Sequence, residues 1–135
     1  MTKDVGIETL AYFMIGNPTE TREEILNTIK FARKLKHDYC HFSVTTPFPA
    51  TPLYELGLEK GIFNDYWKKF ASNPTKDFVP QLWEENLSRE KLIELLEHAY
   101  KDFYTRPGYV FKKMLKVRSF DEFKRKAKAG MRLLK

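Results

Sequence analysis

The strongest constraint on the fold is the order of patterns in the first 45 residues. Ile7 to Gly16 reads IETLAYFMIG. It is rich in β-branched and aromatic residues and ends in glycine, which predicts a strand buried on both faces, as in a parallel sheet. After the loop Gly16-Asn17-Pro18-Thr19-Glu20, the residues Thr21-Arg22-Glu23-Glu24 form a capping box. The Thr hydroxyl can take the amide proton of the third helical residue while Glu24 reaches back to the cap. Ile25, Ile29 and Ala32 then recur at helical spacing, with Leu26 and Leu35 widening the stripe, so the helix should run to about Lys36. His37-Asp38 break it, and Tyr39 to Thr45 (YCHFSVT) predicts a second strand. Two strands joined by a helix of about 15 residues are parallel, with a right-handed crossover.

The rest of the chain has another character. In TTPFPATPLYE, residues 45–55, Pro47 and Pro49 force an extended path. Thr51-Pro52 starts a short helix that ends near Gly57 or Gly61. From Ile62 to Asn86 no period is clear. Tyr66, Trp67, Phe70, Phe78 and Trp83 predict an irregular aromatic wrap with a helical turn at 64–71. Ser88 opens a strong helix whose apolar face is Leu92, Leu95, Leu96, Ala99 and Phe103, and Thr105-Arg106-Pro107-Gly108 stops it. Two more helices are expected over about 109–117 and 120–134. The second opens on the capping box Ser119–Glu122 and carries Phe123, Ala127, Met131 and Leu134 as its stripe. The fold class is thus α/β: one βαβ unit in residues 1–56, then a mostly α-helical region in 57–135.

Composition narrows the functional classes. The chain is 42% hydrophobic and 31% charged, enough for a core and not a disordered balance. No apolar run approaches the roughly 20 residues of a membrane span, and no signal-peptide pattern is present. Cys40 is the single cysteine. It excludes an internal disulfide, excludes a multi-cysteine metal cluster built from this chain alone, and fits a reducing cytoplasm. No Ser–His–Asp order, paired catalytic carboxylates, P-loop or zinc spacing is visible, so neither catalytic nor metal residues are assigned. The net charge of +6 is unevenly spread: residues 111–135 hold ten Lys/Arg against Asp121 and Glu122, leaving the first 110 residues net acidic. A stand-alone module using this basic tail on nucleic acid or another anionic partner is therefore an alternative function; a solvated helix face is the structural account of the same charges.

Taken in order, IGNPTET, TIKFARKL and TPFPATPLYE resemble the end of the catalytic barrel of radical S-adenosylmethionine enzymes, in the subgroup often fused to a cobalamin-binding domain. Gly61, Tyr66-Trp67, LSREKL at 87–92 and AYKDFYTRPGYV at 99–110 extend the likeness over most of the chain. It implies a fragment of a partial (β/α) TIM barrel, with residues 1–56 as the last βαβ unit and 57–135 as a C-terminal extension. The parent enzyme would bind S-adenosylmethionine and a [4Fe–4S] cluster, with cobalamin a further possibility. The C-x-x-x-C-x-x-C loop that holds such a cluster is absent here, so the fragment alone should be inactive and its partner is the missing N-terminal barrel. Met1 would then begin a truncated or excised piece. Two strands with exposed edges should self-associate unless residues 57–135 fold over them. Two positions depart from the family pattern: Thr19 and Ala50 stand where glycine is usual. A positive φ is costlier at Thr19 than at glycine.

The resemblance assigns the loop to the adenine end of S-adenosylmethionine, with Ile15, Gly16, Asn17, Pro18 and Glu20 as cofactor-binding residues. Gly16 would let backbone approach a flat group, and Ile15 and Pro18 would offer apolar contact. Thr45 and Thr46, on the same rim, carry hydroxyls that can meet polar groups of a ligand. A plain capped strand-to-helix turn, and a Pro-directed exit from the second strand, are the structural accounts of these residues. Cys40 is expected to be buried and inert, and His41 to be either a core group or a group facing a barrel interior. Trp67, Phe70, Phe78 and Trp83 line a substrate channel or pack a core.

Overall fold

The computed structural model describes residues 5–35 and 37–115. The expected helix at 120–134 and most of the basic tail lie outside the described residues. The described elements are β1 (Leu10–Ile15), α1 (Arg22–Lys34), β2 (Tyr39–Val44), α2 (Pro52–Glu59), α3 (Tyr66–Ser72), α4 (Arg89–Tyr104) and α5 (Pro107–Leu115). β1 and β2 are parallel, with Leu10 opposite Tyr39 and Ile15 opposite Val44. The expected strand–helix–strand unit is present, and both strands are shorter than the apolar runs that announced them.

α1 starts where its cap dictates. The Thr21 amide donates to Glu24 Oε2 at 2.8 Å, and the Glu24 amide donates to Thr21 Oγ1 at 3.3 Å. The Thr21 amide, and with it the Thr21 hydroxyl, which also donates to Glu24 Oε2 at 2.8 Å, hold the Glu24 carboxyl below its ordinary range. Ile25, Ile29 and Ala32 are buried, as the stripe predicts. α2 starts the same way, with Thr51 Oγ1 accepting the Tyr54 amide proton and Pro52 in the first turn. Ser88 occupies the cap position of α4 but makes no side-chain cap; the Glu84 carboxylate takes the Arg89 amide proton at 2.9 Å instead.

The main core lies on one face of the sheet. Ile15, Cys40 and Phe42 meet Ile25, Ile29 and Ala32 of α1 and Leu92, Leu95, Ala99 and Phe103 of α4. The other face is uncovered among the described residues: Leu10, Tyr12 and Met14 are 49%, 72% and 56% exposed, and Tyr39 and His41 are exposed beside them. β1 was expected to be buried on both faces. Its sequence carries apolar residues on both, but the described residues cover only one.

A second cluster is aromatic. Tyr54, Phe63, Tyr66 and Trp83 are buried together, with Trp67 and Phe78 packed against them. The wrap is pinned by Pro47, whose carbonyl accepts from Tyr66 Oη at 2.7 Å and Trp67 Nε1 at 3.1 Å. Trp67, Phe78 and Trp83 are therefore packing residues in this structure. Among the described residues no helix is long and apolar enough to cross a membrane.

Candidate functional site

The rim formed by the C-terminal ends of β1 and β2 gathers most of the residues singled out in the sequence. The Glu20 amide donates to the Asn17 carbonyl at 3.0 Å, closing a turn with Pro18 and Thr19 at its centre. Thr19 has a φ of 64°. Proline followed by a left-handed residue is the arrangement of a type II turn, in which the second position favours glycine. The same device recurs at Phe48-Pro49-Ala50-Thr51, where Ala50 has a φ of 60° and Thr51 Oγ1 donates to the Phe48 carbonyl at 2.6 Å. The two positions that depart from the resembled pattern thus fall on the two non-glycine residues with positive φ among those described. A left-handed β-branched residue is rare and costs on the order of 1–3 kcal/mol.

Thr45 ties the rim together. It is buried, and its amide donates to the Ile15 carbonyl at 2.9 Å. Its hydroxyl sits 3.1 Å from that carbonyl and 2.9 Å from Asn17 Oδ1, donating toward both. The Asn17 amide donates in turn to Glu20 Oε2 at 2.9 Å. The structure therefore brings Ile15, Asn17, Glu20 and Thr45 into one hydrogen-bonded unit. The Thr45 hydroxyl is spent inside it. Ile15 is fully buried, so its side chain serves the core and not an outward apolar contact. The Thr46 hydroxyl donates to the Val44 carbonyl at 3.2 Å. Asn17, Pro18 and Thr46 are half-buried at the rim and keep outward surface.

Gly16 has a φ of 74°, and a Cβ there would lie 2.9 Å from Leu92 Cδ2 and 3.4 Å from Val44 Cγ1. The space a side chain would need belongs to α4 and β2. Gly16→Ala should therefore combine left-handed strain with a clash in a closed core and cost about 2 kcal/mol or more. Chemical denaturation measures this, and an unchanged midpoint would show that α4 yields freely.

Two residues that sequence reasoning did not single out hold the loop from outside. Glu85 Oε2 accepts the Thr19 amide proton at 2.9 Å and the Trp83 indole proton at 3.0 Å, and Glu85 Oε1 lies 2.7 Å from Lys60 Nζ. Asn86 Nδ2 donates to the Thr19 carbonyl at 2.9 Å and to the Glu20 carbonyl at 3.3 Å. The Trp83 amide donates to the Thr45 carbonyl at 3.2 Å. Lys60, the Trp83 indole and the Thr19 amide together bring the Glu85 carboxyl down to about 2 from its usual 4.5. A carboxyl depressed on folding adds stability above its unfolded value and loses it as pH falls through the folded one. Acidification from pH 4.5 toward about 2 should thus lower the melting temperature less in Glu85→Gln than in the native chain. Equal slopes for the two proteins would remove Glu85 from the acid response.

Cys40 is buried, which pushes its thiol up to about 11 against the opposing charge of Arg106. It is inert toward ligation or attack at neutral pH. His41 stands on the uncovered face, with its ring edge-on to Tyr12 and Nδ1 at 3.1 Å from Tyr100 Oη. His37 stacks on Phe103 at 4.8 Å. No group of three or more His, Cys, Asp or Glu among the described residues is arranged to hold a metal.

A loop after a parallel strand, a capped crossover helix and a sheet face left open by the described residues define an α/β segment; folds of this class bind their ligands at the C-terminal rim of the strands. The relatives are enzymes by name. The chain is 38% identical over 119 residues to a protein of Pyrococcus horikoshii named an uncharacterized methyltransferase, a match that covers 87% of this chain and 25% of that protein. It is 27% identical over 111 residues to the anaerobic magnesium-protoporphyrin IX monomethyl ester cyclase of Rubrivivax gelatinosus, covering 82% of this chain and 19% of the cyclase. It is 31% identical over 106 residues to the enzyme of that name from Cereibacter sphaeroides, covering 77% of this chain and 16% of the cyclase. The chain thus spans a quarter or less of the length of these curated relatives. No family model and no solved structure matches it.

Proposed function

We propose that this chain is the C-terminal portion of a radical S-adenosylmethionine enzyme, with residues 1–56 as the last βαβ unit of its barrel and 57–135 as the extension that covers it. The observation that carries the reading is the asymmetry of the sheet. α1 and α4 close one face, while among the described residues Leu10, Tyr12 and Met14 leave the other face open beside the C-terminal rim of the strands. An open apolar face of that kind suits the interior wall of a larger barrel, and relatives at least four times longer than the matched segment support it. The nearest partner is then the N-terminal barrel of the same protein. Isolated, the open strand should pair with a second copy, which light scattering would detect as a dimer.

The residues present fit one cofactor and not the other. Asn17 and Pro18 can form one wall for S-adenosylmethionine, with Thr45 and Glu20 fixing Asn17 from behind, while Gly16 is buried against α4 and β2 and serves the turn. A [4Fe–4S] cluster needs several thiolates, and this chain offers one buried thiol, so the cluster would be held by the remainder of the parent. Reductive cleavage of S-adenosylmethionine is the chemistry that cluster supplies when bound. Cobalamin is a further possibility for the parent, and a methyltransferase-type reaction agrees with the name of the Pyrococcus relative. The relatives do not favour the alternative of a basic-tail binding module.

The test is reconstitution of the full-length protein with iron and sulfide under reducing, anoxic conditions. It should release 5′-deoxyadenosine from S-adenosylmethionine, and this chain alone should release none. A full-length protein with a loaded cluster and no cleavage would overturn the reading.

A further inference from the structure

We propose that Trp83–Asn86 is a strap that sets the shape of the Asn17–Glu20 loop, with Glu85 and Asn86 as its positioning residues. Thr19 is the strained residue of the loop. Its φ of 64° is a conformation that glycine adopts freely and a β-branched residue resists. A chain that needs a left-handed residue at this point can place glycine there or hold another residue in place by force. Here the holding groups are visible. Glu85 takes the Thr19 amide proton on one side, and Asn86 donates to the Thr19 carbonyl on the other, each at 2.9 Å. Both peptide planes flanking Thr19 are therefore fixed from outside the loop, by residues 66 and 67 positions away in the chain.

The strap is itself anchored. The Glu85 carboxylate is held by Lys60 and by the indole of Trp83, which is buried in the aromatic cluster. The Trp83 backbone amide bonds the carbonyl of Thr45, the residue whose hydroxyl steadies Asn17. One short segment thus touches both halves of the rim: the end of β2 and the loop after β1. A carboxylate with three donors at fixed positions can impose a geometry that the loop sequence does not favour. This strap is independent of what the loop binds; only its consequence for S-adenosylmethionine rests on the function proposed above.

The test uses Glu85→Ala, Glu85→Gln and the double variant Glu85→Ala/Thr19→Gly. In this chain, a strong NOE between the Thr19 amide and its own Hα reports positive φ. It should be present in the native protein, lost in Glu85→Ala and largely kept in Glu85→Gln, which retains an acceptor oxygen. Persistence of the NOE in Glu85→Ala overturns the strap. In the full-length enzyme, Glu85→Ala should raise the KM for S-adenosylmethionine roughly tenfold with little change in kcat, the weight of one or two hydrogen bonds. Adding Thr19→Gly should restore most of that loss, because glycine reaches the left-handed conformation unaided. No restoration by glycine overturns the positioning role. Loss of the NOE with an unchanged KM supports the strap and overturns the assignment of the loop to S-adenosylmethionine.

Discussion

Tyr100→Phe and Tyr104→Phe are each expected to destabilise the chain by about 1–3 kcal/mol, the cost of stranding strand backbone groups that lose their partner. The Cys40 amide donates to Tyr104 Oη at 3.1 Å, and that hydroxyl donates to the Cys40 carbonyl at 2.7 Å. The Phe42 amide and carbonyl meet Tyr100 Oη in the same way, at 3.2 and 2.9 Å. Each phenol accepts and donates as a residue of a neighbouring strand would. The spacing permits it: four helical residues rise about 6 Å and two strand residues about 6.6 Å, so i, i+4 on α4 matches i, i+2 on β2. Tyr109 Oη continues the row, donating to the Asp38 carbonyl at 3.1 Å. Burial also raises the Tyr104 hydroxyl above its ordinary range, so it keeps the proton it donates. Urea titration measures the loss, and light scattering reports whether the bared edge recruits another chain. Two phenylalanine variants within about 0.5 kcal/mol of the native protein would mean that water replaces the hydroxyls without cost.

This row of hydroxyls also shows what was legible in the sequence and what was not. α1 could be read to within two residues because a capping box and a 3.6-residue stripe are local signals. The parallel pairing followed from the crossover alone. The tyrosines were visible as part of a helix, but their match to a strand some 60 residues earlier is a tertiary fact. A row of Tyr at 100, 104 and 109 beside an apolar stripe is the signal that could have raised it. The open face of β1 was hidden for another reason. LAYFMI places apolar residues on both faces, and period alone cannot say whether the second cover lies in the same chain. At the rim, Gly16, Asn17 and Thr45 were marked by type and position. Glu85 and Asn86 were not, because a surface carboxylate and amide in an aperiodic wrap carry no local pattern.

Trp83→Ala should be the most damaging single substitution of those considered, costing about 3–5 kcal/mol. Trp83 is 2% exposed, lies edge-on to Phe63, and closes a cluster with Tyr54 and Tyr66. That cluster is separate from the core between the sheet, α1 and α4, so its loss should unfold α2 and α3 while the main core persists. Amide exchange would then show α2 and α3 losing protection, with β1, β2, α1 and α4 keeping theirs. Trp83→Phe distinguishes packing from tethering. It retains much of the buried ring and forfeits the indole bond to Glu85 together with a few buried ring atoms, so it should cost about 1–2 kcal/mol and leave α2 and α3 protected. If Trp83→Ala left exchange in α2 and α3 unchanged, the aromatic residues would not be a core, and the competing account of a channel lining would regain its force. If the expected pattern holds, the wrap acts as a second small core whose free edge, through Glu85, reaches the loop after β1. The rim at the C-terminal ends of β1 and β2 then depends on a cluster with which it shares only a few hydrogen bonds.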